Sequence, residues 1–458
     1  MTDNKYTNYI LITILFFGFF FRFYFVNHES LWPDEALYLY MGDNLSSDLS
    51  DLRDTHGNFF LKNPPFYMYL LSILFRFAKD WAVFGARLFS VIADTGTILL
   101  VYLIAKKTFD KPVGLISAGI IAVNPLHIWI STRILTDIPL TFLLYFSIYM
   151  LISKRIFFYY IFSFLSLVTK YTAAPVFALG ILRKIRFPKK IWALIYCSGV
   201  IGIITLIAAN SHMNMEKGLL SYFMRFFQIP NFSEMYREIH FFIGFTLCFF
   251  FIVGFGKAAY KNDFSPLFKW VLIFGTARLF LPWVAFRVSR YSLPLYPGMM
   301  LFAAYGWFSA LDFIRKKMPK ISMSVVLLFS AVLVYAMAVS SIKAYDVSDS
   351  TSRTFTGFRE VGDFLRCQSE NRHVNILTSS PRQIKYFVPD SNVYDLPGES
   401  SPKDMEILIR DKKIEFVSSD IWSPHQPDWC VEYFVPQNGF HPIFRNENFV
   451  VYNYKIRP

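Results

Sequence analysis

The residues best suited to acid–base chemistry stand just after the first apolar segment of the chain. Pro33 precedes Asp34 and Glu35, and an apolar face at helical spacing follows them. Proline suits the first position of a helix, and carboxylates in the first turn meet the positive end of the helix dipole. The sequence therefore predicts a helix with an acidic start. A well-capped surface helix and an acid–base site both explain it.

Basic residues recur where the hydropathy pattern places the outer ends of apolar segments. The set comprises Lys62 before Pro64-Pro65, Arg133 four residues before Asp137, Lys170, and Arg290 next to Tyr291. Each also has a simpler interpretation, since a lone lysine can extend to the lipid head groups and Arg133 can pair locally with Asp137. Ionisable residues at membrane depth are nevertheless functional candidates. Together with Asp34 and Glu35 in the first outer loop, they predict one cavity that binds an anion, such as a lipid phosphate, beside an acid.

A sugar carried on a polyprenyl phosphate would give these residue types a definite chemistry. Glycoside hydrolysis needs two carboxylates, because its alkoxide leaving group must be protonated. A phosphate leaves as a stable anion and needs cations instead. One aspartate then suffices to take the proton from an acceptor hydroxyl, whose in-line attack inverts the sugar. No cluster of His, Cys and carboxylates has metal-ligand spacing, so no cofactor is predicted, and a divalent metal is left as an open alternative.

The composition indicates what kind of scaffold must position these residues. Of the 458 residues, 54% are hydrophobic and 17% are charged, whereas soluble domains average about 25% charged residues. Such a chain is too apolar to be disordered, and its apolar blocks are long enough to cross a bilayer as helices. We therefore predict a polytopic α-helical membrane protein surrounded by membrane lipids.

The net charge of +13 is unevenly distributed along the chain. From Ile342 onward acidic residues slightly outnumber basic ones, so the positive excess lies in residues 1–341. Lys and Arg concentrate in the cytoplasmic loops of membrane proteins, which explains the excess without a nucleic-acid partner. Threading the chain by this rule predicts about 11 transmembrane helices in a multi-pass plasma-membrane protein. Residues 27–81 then form the first extracytoplasmic loop, with juxtamembrane helices that include the short apolar piece 65–77.

The last part of the chain, residues 342–458, has the composition of a soluble domain. Its patterns predict helices at 355–366 and 402–412 and strands at 374–378, 414–418 and 449–454. These elements indicate a small α/β domain on the extracytoplasmic side. Cys367 and Cys430 could pair in an oxidising compartment, but their spacing alone does not decide this.

Several motifs follow one another in a particular order along the chain. They run from Trp32-Pro33-Asp34-Glu35, through Lys62-Asn63-Pro64-Pro65 and Thr136-Asp137-Ile138-Pro139, to Arg290-Tyr291-Ser292. This ordered set resembles the GT-C membrane glycosyltransferases, and within them the branch of protein O-mannosyltransferases and aminoarabinose lipid A transferases. The likeness covers residues 9–180 well and 275–312 more loosely.

The resemblance implies a GT-C fold and an active site that faces away from the cytoplasm. It implies that Asp34 is the catalytic carboxylate, that Glu35 supports it, and that Asp137 is the second acidic position. The implied neighbours of the donor phosphate are Lys62, Arg290 and Tyr291, to which the positions at outer helix ends add Arg133 and Lys170.

The function predicted from these observations is a membrane hexosyltransferase. It would move a hexose, with mannose as the working choice, from a polyprenyl or dolichyl phosphate to a lipid-linked glycan, a lipid or a protein, with inversion. The main alternative is a flippase or secondary transporter for lipid-linked sugars, which should carry ionisable groups at the bilayer midplane and inverted repeats. A third interpretation is a membrane anchor for a binding domain, which would make Asp34, Lys62 and Asp137 dispensable.

Overall fold

The structure is a computed structural model. It describes residues 2–60, 63–182, 241, 243–261, 265–280, 289–319, 322–369, 372–396, 401–422 and 429–454. Lys62 lies outside these residues, and so does the apolar segment 191–210, which the threading counts as one of the predicted spans. The contacts divide the chain into two compact units. The first unit contains residues 1–26, 61–67 and 87–348, and the second contains 27–60, 68–86 and 349–458.

Helices make up the first half of the described chain. They are α1 (Thr2–Tyr24), α2 (Pro33–Ser47), α3 (Phe66–Ala78), α4 (Ala82–Thr108), α5 (Lys111–Ala122), α6 (Pro125–Ser131), α7 (Asp137–Ile152), α8 (Ile156–Thr169) and α9 (Val176–Leu182). Short 3₁₀ turns at Lys79–Trp81 and Tyr171–Ala173 join α3 to α4 and α8 to α9.

The remaining helices before the sheet domain include the longest in the described chain. They are α10 (Phe245–Tyr260), α11 (Pro266–Phe280), α12 (Tyr296–Lys317) and α13 (Ser322–Ser352), with a 3₁₀ segment at Ser289–Leu295 before α12.

The apolar helices are those of a membrane protein. In the described part of the chain, three helical stretches are long and apolar enough to span a bilayer: Lys5–Tyr24, Phe66–Thr108 and Met323–Ser352. The pair α5 and α6 passes the same test as one span, bent by 57°. The bend lies where Asn124 caps α6 with its side chain and Pro125 opens that helix. The figure of about 11 spans stays a prediction.

Two glycines allow a close helix crossing in the first unit. A Cβ atom on Gly254 of α10 would collide with the carbonyl oxygen of Phe302, and one on Gly306 of α12 would collide with that of Phe250. Only residues without a side chain fit at such a contact, as is common where membrane helices pack closely. The two glycines therefore allow α10 to pack closely against α12. Helix α12 follows directly after the 3₁₀ segment Ser289–Leu295, which contains Arg290 and Tyr291.

A buried charged cluster joins three regions of the same unit. Arg22 Nε donates to Asp94 Oδ2 at 2.7 Å, and His127 Nδ1 lies 2.6 Å from Asp94 Oδ1. The guanidinium of Arg22 also donates to the carbonyl oxygens of Gly18, Ile121 and Ala122. All three side chains are completely buried. The cluster connects α1 and α4 to the bend between α5 and α6. We therefore assign Arg22 and Asp94 a structural role in helix packing.

The carboxy-terminal part of the second unit contains a five-stranded sheet. Its helices are α14 (Phe358–Ser369), α15 (Pro381–Phe387), α16 (Pro402–Lys412) and α17 (Cys430–Tyr433). Its strands are β1 (Asn375–Thr378), β2 (Asn392–Asp395), β3 (Phe416–Asp420), β4 (Phe440–Arg445) and β5 (Phe449–Tyr454), in the order β2-β1-β3-β5-β4. Strands β2, β1 and β3 are parallel, and β5 is antiparallel to both β3 and β4.

The central strands of the sheet contribute to two separate cores, because successive side chains of a strand point to opposite faces. Ile376 of β1 packs in the core with Phe358 of α14 and Ile384 of α15. Its neighbour Leu377 packs in the opposite core with Ile409 of α16. The small α/β domain expected from the sequence is therefore confirmed, with helices on both faces of the sheet.

Candidate functional site

Asp34 and Glu35 stand at the start of α2, as the sequence predicts, but in different environments. Glu35 is completely buried, and its Oε2 accepts a hydrogen bond from the backbone N–H of Trp32 at 3.1 Å. This contact satisfies a donor that helix geometry leaves open at the amino end. The Asp34 side chain is 28% exposed, so it is accessible to a reacting molecule while Glu35 is not.

The partner of Asp34 comes from the carboxy-terminal part of the second unit. Arg382 Nη1 donates to Asp34 Oδ1 at 3.0 Å. Sequence reasoning missed Arg382, which lies 348 residues from Asp34. The single local signal is a basic residue directly after Pro381 at a helix start, and nothing in that signal points to a distant carboxylate.

Other acids of the same loop form local contacts. Side-chain hydrogen bonding from Arg53 holds the pKa of Asp51 below its usual value, and the backbone N–H of Ser50 does the same for Asp48. Both carboxylates therefore remain ionised at neutral pH. Their contacts within the loop distinguish them from Asp34, which pairs with a residue far away in the chain.

The first unit brings Asp137, Lys170 and Tyr291 together. Lys170 Nζ donates to Asp137 Oδ1 at 2.7 Å and lies 4.6 Å from the centre of the Tyr291 ring. Asp137 is the first residue of α7, and Lys170 follows the last residue of α8 in an extended conformation. The ion pair is almost completely buried, with side chains 3% and 10% exposed. Buried ion pairs are seldom the most stable choice for a core, which makes this pair a candidate for binding an anion.

Hydrogen bonds to Tyr145 hold the 3₁₀ segment Ser289–Leu295, which contains Tyr291, against α7. The Tyr145 hydroxyl donates to the carbonyl oxygen of Pro294 at 3.0 Å and accepts from the backbone N–H of Gly298 at 2.7 Å. Trp270 Nε1 donates to the same Pro294 oxygen at 3.3 Å. These bonds join α7, α11 and the start of α12, and they place Tyr291 over Lys170.

Fewer contacts are described for the other predicted site residues. Arg133 is buried just after α6, and Arg290 lies 5.5 Å from the ring centre of its neighbour Tyr291. Lys62, the predicted donor-phosphate ligand, lies outside the described residues. Asp34 and Glu35 belong to the second unit and the other described candidates to the first, so one common cavity stays a prediction.

The described residues offer no group of three His, Cys, Asp or Glu that could hold a metal ion. Cys367 is exposed, Cys430 is buried, and both are free thiols. A requirement for a divalent metal therefore stays untested.

Residues 62–187 match the family model described as dolichyl-phosphate-mannose-protein mannosyltransferase. The matched segment contains Asp137 and Lys170, which form the buried ion pair, and also Arg133 and Lys62. No curated protein matches the sequence.

The fold is similar to those of several solved membrane proteins. The oligosaccharyltransferase AglB of Archaeoglobus fulgidus matches with a TM-score of 0.61 and 12% identity, over 97% of this chain and 73% of that chain. ArnT of Cupriavidus metallidurans, solved with undecaprenyl phosphate, matches with a TM-score of 0.60 and 11% identity, over 96% of this chain and 97% of that chain. The arabinofuranosyltransferase AftD from Mycobacteria matches with a TM-score of 0.54 and 11% identity, over 99% of this chain and 40% of that chain.

These comparisons confirm the resemblance on which the sequence prediction rests. The chain has the GT-C fold, and the match of residues 62–187 to a mannosyltransferase family model supports a glycosyltransferase. The comparisons give no support to the flippase or transporter alternative.

Proposed function

We propose that the protein transfers a hexose from a polyprenyl or dolichyl phosphate to an acceptor hydroxyl, with inversion at the anomeric carbon. One observation carries the proposal. Within the segment that matches the mannosyltransferase family model, Lys170 and Asp137 form a buried ion pair beneath Tyr291. A cation kept at a buried position next to an aromatic ring suits an anionic phosphate, because charge-assisted hydrogen bonds strengthen where water is excluded.

The reaction needs one base and several cations. Asp34 takes the proton of the acceptor hydroxyl while the hydroxyl oxygen attacks the anomeric carbon. The bond from that carbon to the phosphate oxygen breaks, and the lipid phosphate leaves as an anion that Lys62, Lys170, Arg133 and Arg290 stabilise. The attack comes from the side opposite the leaving group, so the configuration inverts. In this scheme Glu35 supports Asp34 through the helix start, and Asp137 orients Lys170.

The identity of donor and acceptor is proposed from the similar proteins. ArnT was solved with undecaprenyl phosphate, and AglB with dolichol-phosphate and an inhibitory peptide. A polyprenyl-phosphate donor is therefore the natural choice here, and the description of the matching family favours mannose. A lipid-linked glycan, a lipid and a protein are all retained as acceptors.

The charge distribution supports the proposed location. We expect the basic loops to lie inside and the first loop, which carries Asp34 and Glu35, to lie outside. This arrangement favours a reaction on the extracytoplasmic face of the plasma membrane, in a multi-pass protein of about 11 spans. A transporter would need ionisable groups for transport deep in the membrane. In the deeply buried Arg22–Asp94 pair, the Arg22 guanidinium instead donates to backbone carbonyl oxygens of a packed helix.

The proposal is tested with the purified full-length protein in detergent or liposomes. Polyprenyl phosphates carrying radiolabelled mannose, or other labelled hexoses, are incubated with membranes that supply glycan, lipid and protein acceptors. We expect label to move into one acceptor fraction and an anomeric configuration opposite to that of the donor. Parallel reactions with EDTA test the need for a divalent metal. Transport of labelled donor across liposomes without any transfer would contradict the proposal and favour the flippase.

A further inference from the structure

We propose that Arg382 is a positioning residue for Asp34, so that the carboxy-terminal domain orients the proposed base. The inference rests on the proposed function, because it assumes that Asp34 is the base. It gives the domain a role in the reaction that the family match, which covers residues 62–187, does not supply.

The contact between the two residues is direct. Arg382 Nη1 lies 3.0 Å from Asp34 Oδ1, within hydrogen-bond distance for an ion pair. Asp34 stands in the first turn of α2 and Arg382 in the first turn of α15. Their side chains are 28% and 35% exposed, so the pair lies at a surface that a substrate can reach.

The ion pair is part of a wider attachment of α2 to the carboxy-terminal domain. The backbone N–H of Leu31 donates to the carbonyl oxygen of Phe355 at 3.0 Å, and Gln383 Nε2 donates to the carbonyl oxygen of Leu31 at 3.4 Å. The ring of Phe355 also lies 5.6 Å from that of Trp32, centre to centre. The residues just before Asp34 are therefore fixed by the domain that supplies Arg382.

A second contact lies further along the same two helices. Lys385 Nζ lies 5.9 Å from the ring centre of Tyr40, about two helical turns after Asp34. With the Arg382–Asp34 pair, the Lys385 contact gives α15 two points of contact with α2. Arg382 consequently reaches Asp34 from a helix that is held at several points.

A fixed direction of the Asp34 carboxylate is what a general base requires. A base must lie within hydrogen-bond reach of the proton that it removes, and small errors in placement are costly in rate. Arginine presents planar donors with a fixed geometry, whereas lysine offers a compact charge with freely rotating donors. Exposed ion pairs, in contrast, add little to stability. Loss of Arg382 should therefore affect turnover much more than folding.

The test uses Arg382→Gln in the full-length protein, assayed with labelled polyprenyl-phosphate mannose and membrane acceptors. We expect kcat to fall by about 10²-fold, the order of loss from a misplaced reacting group, with the donor KM and the melting temperature nearly unchanged. Arg382→Lys should recover part of the lost kcat because it can still donate to Asp34. The matched control is Arg372→Gln, which breaks an exposed pair with Glu415 in the same domain and should leave kcat unchanged.

Several results would overturn the inference. An unchanged or increased kcat in Arg382→Gln would show that the pair is dispensable or inhibitory. A raised donor KM at constant kcat would show that Arg382 binds the donor instead. A fall in melting temperature that accounts for the lost activity, without recovery in Arg382→Lys, would show a purely structural role. Asp34→Asn is assayed in parallel: if it stays active, the proposed function itself fails, whereas an inactive Asp34→Asn beside a fully active Arg382→Gln rejects this inference alone.

Discussion

At the scale of single residues, two neighbouring carboxylates have different environments. Glu35 is buried and accepts from the Trp32 backbone at the start of α2, while Asp34 is partly exposed and pairs with Arg382. Glu35 therefore caps the helix start, while Asp34 is the carboxylate that a reacting molecule can reach. The interpretation as a capped helix and the interpretation as a catalytic position are therefore compatible, since each describes one of the two residues.

Asp34→Asn is expected to lower kcat by about 10²–10⁴-fold, because it removes the proposed base with almost no change in volume. The measurement is transfer of labelled sugar by the purified variant, with its elution profile as a check of folding. Asp51→Asn serves as the control, since Asp51 pairs with Arg53 within the same loop. Full activity of Asp34→Asn would contradict the proposed mechanism.

Lys62→Ala is expected to raise the donor KM if Lys62 binds the phosphate equally through the reaction, and to lower kcat if the contact strengthens as the phosphate leaves. Steady-state kinetics with varied donor concentration separate the two. Lys111→Ala provides a comparison at a basic residue that begins α5 and is not a candidate site residue. Kinetics identical to those of the unaltered protein would reject a role for Lys62.

At the scale of helices and strands, one buried charge cluster fixes the arrangement of the first membrane helices. Asp94 receives contacts from Arg22 of α1 and His127 of α6, and Arg22 also bonds to carbonyl oxygens at the end of α5. The break between α5 and α6 frees these carbonyls from helical bonding. The cluster thus compensates for the break.

Asp94→Ala is expected to destabilise the protein by about 3–5 kcal/mol, because it leaves the Arg22 charge buried without its carboxylate. Thermal unfolding in detergent, followed by loss of the monodisperse species, measures this effect. Lys316→Gln is the control, since its pair with Asp312 is exposed and exposed ion pairs add little to stability. Equal melting temperatures for both variants would show that the cluster does not hold the helices together.

Local signals determined which elements of the carboxy-terminal domain were predictable. The helix predicted at 402–412 is confirmed as Pro402–Lys412, because Ser401 and Asp404 form a capping box at its start. The helix Pro381–Phe387 was not predicted, since seven residues give too short an apolar period to recognise. That short helix nevertheless provides Arg382.

At the scale of the whole molecule, the cysteines allow the predicted location of the carboxy-terminal domain to be tested. Cys367 is exposed, whereas Cys430 is buried and its burial raises the pKa of its thiol to about 12. The thiolate is the reactive form, so at pH 8 only about one Cys430 thiol in 10⁴ would be ionised. Cys367 is therefore the expected reactive thiol of the two.

A membrane-impermeant maleimide added to intact cells at pH 7–8 is expected to label the protein at Cys367, if the domain lies outside as predicted. Mass spectrometry of the labelled protein locates the site, and Cys367→Ser is the control that should lose this label. Labelling of Cys367 that appears only after the cells are permeabilised would place the domain inside and contradict the proposed topology.

The sequence by itself determined the helical membrane character, the small α/β domain and the resemblance to GT-C glycosyltransferases. Hydropathy, charge distribution and the ordered motifs are local properties of the chain, and each can be recognised without knowing distant neighbours. For the same reason Asp34, Glu35 and Asp137 could be selected from their own surroundings.

Only the tertiary structure decided which residues meet. Asp137 pairs with Lys170, 33 residues away, although the sequence offered Arg133 as its local partner. Asp34 pairs with Arg382 across 348 residues. Such pairs are set by the packing of α7 against α8 and of α2 against α15, and packing depends on the shapes of surfaces that are distant in sequence. Motifs could thus identify the carboxylates of the site, while the folded chain assigned their cations.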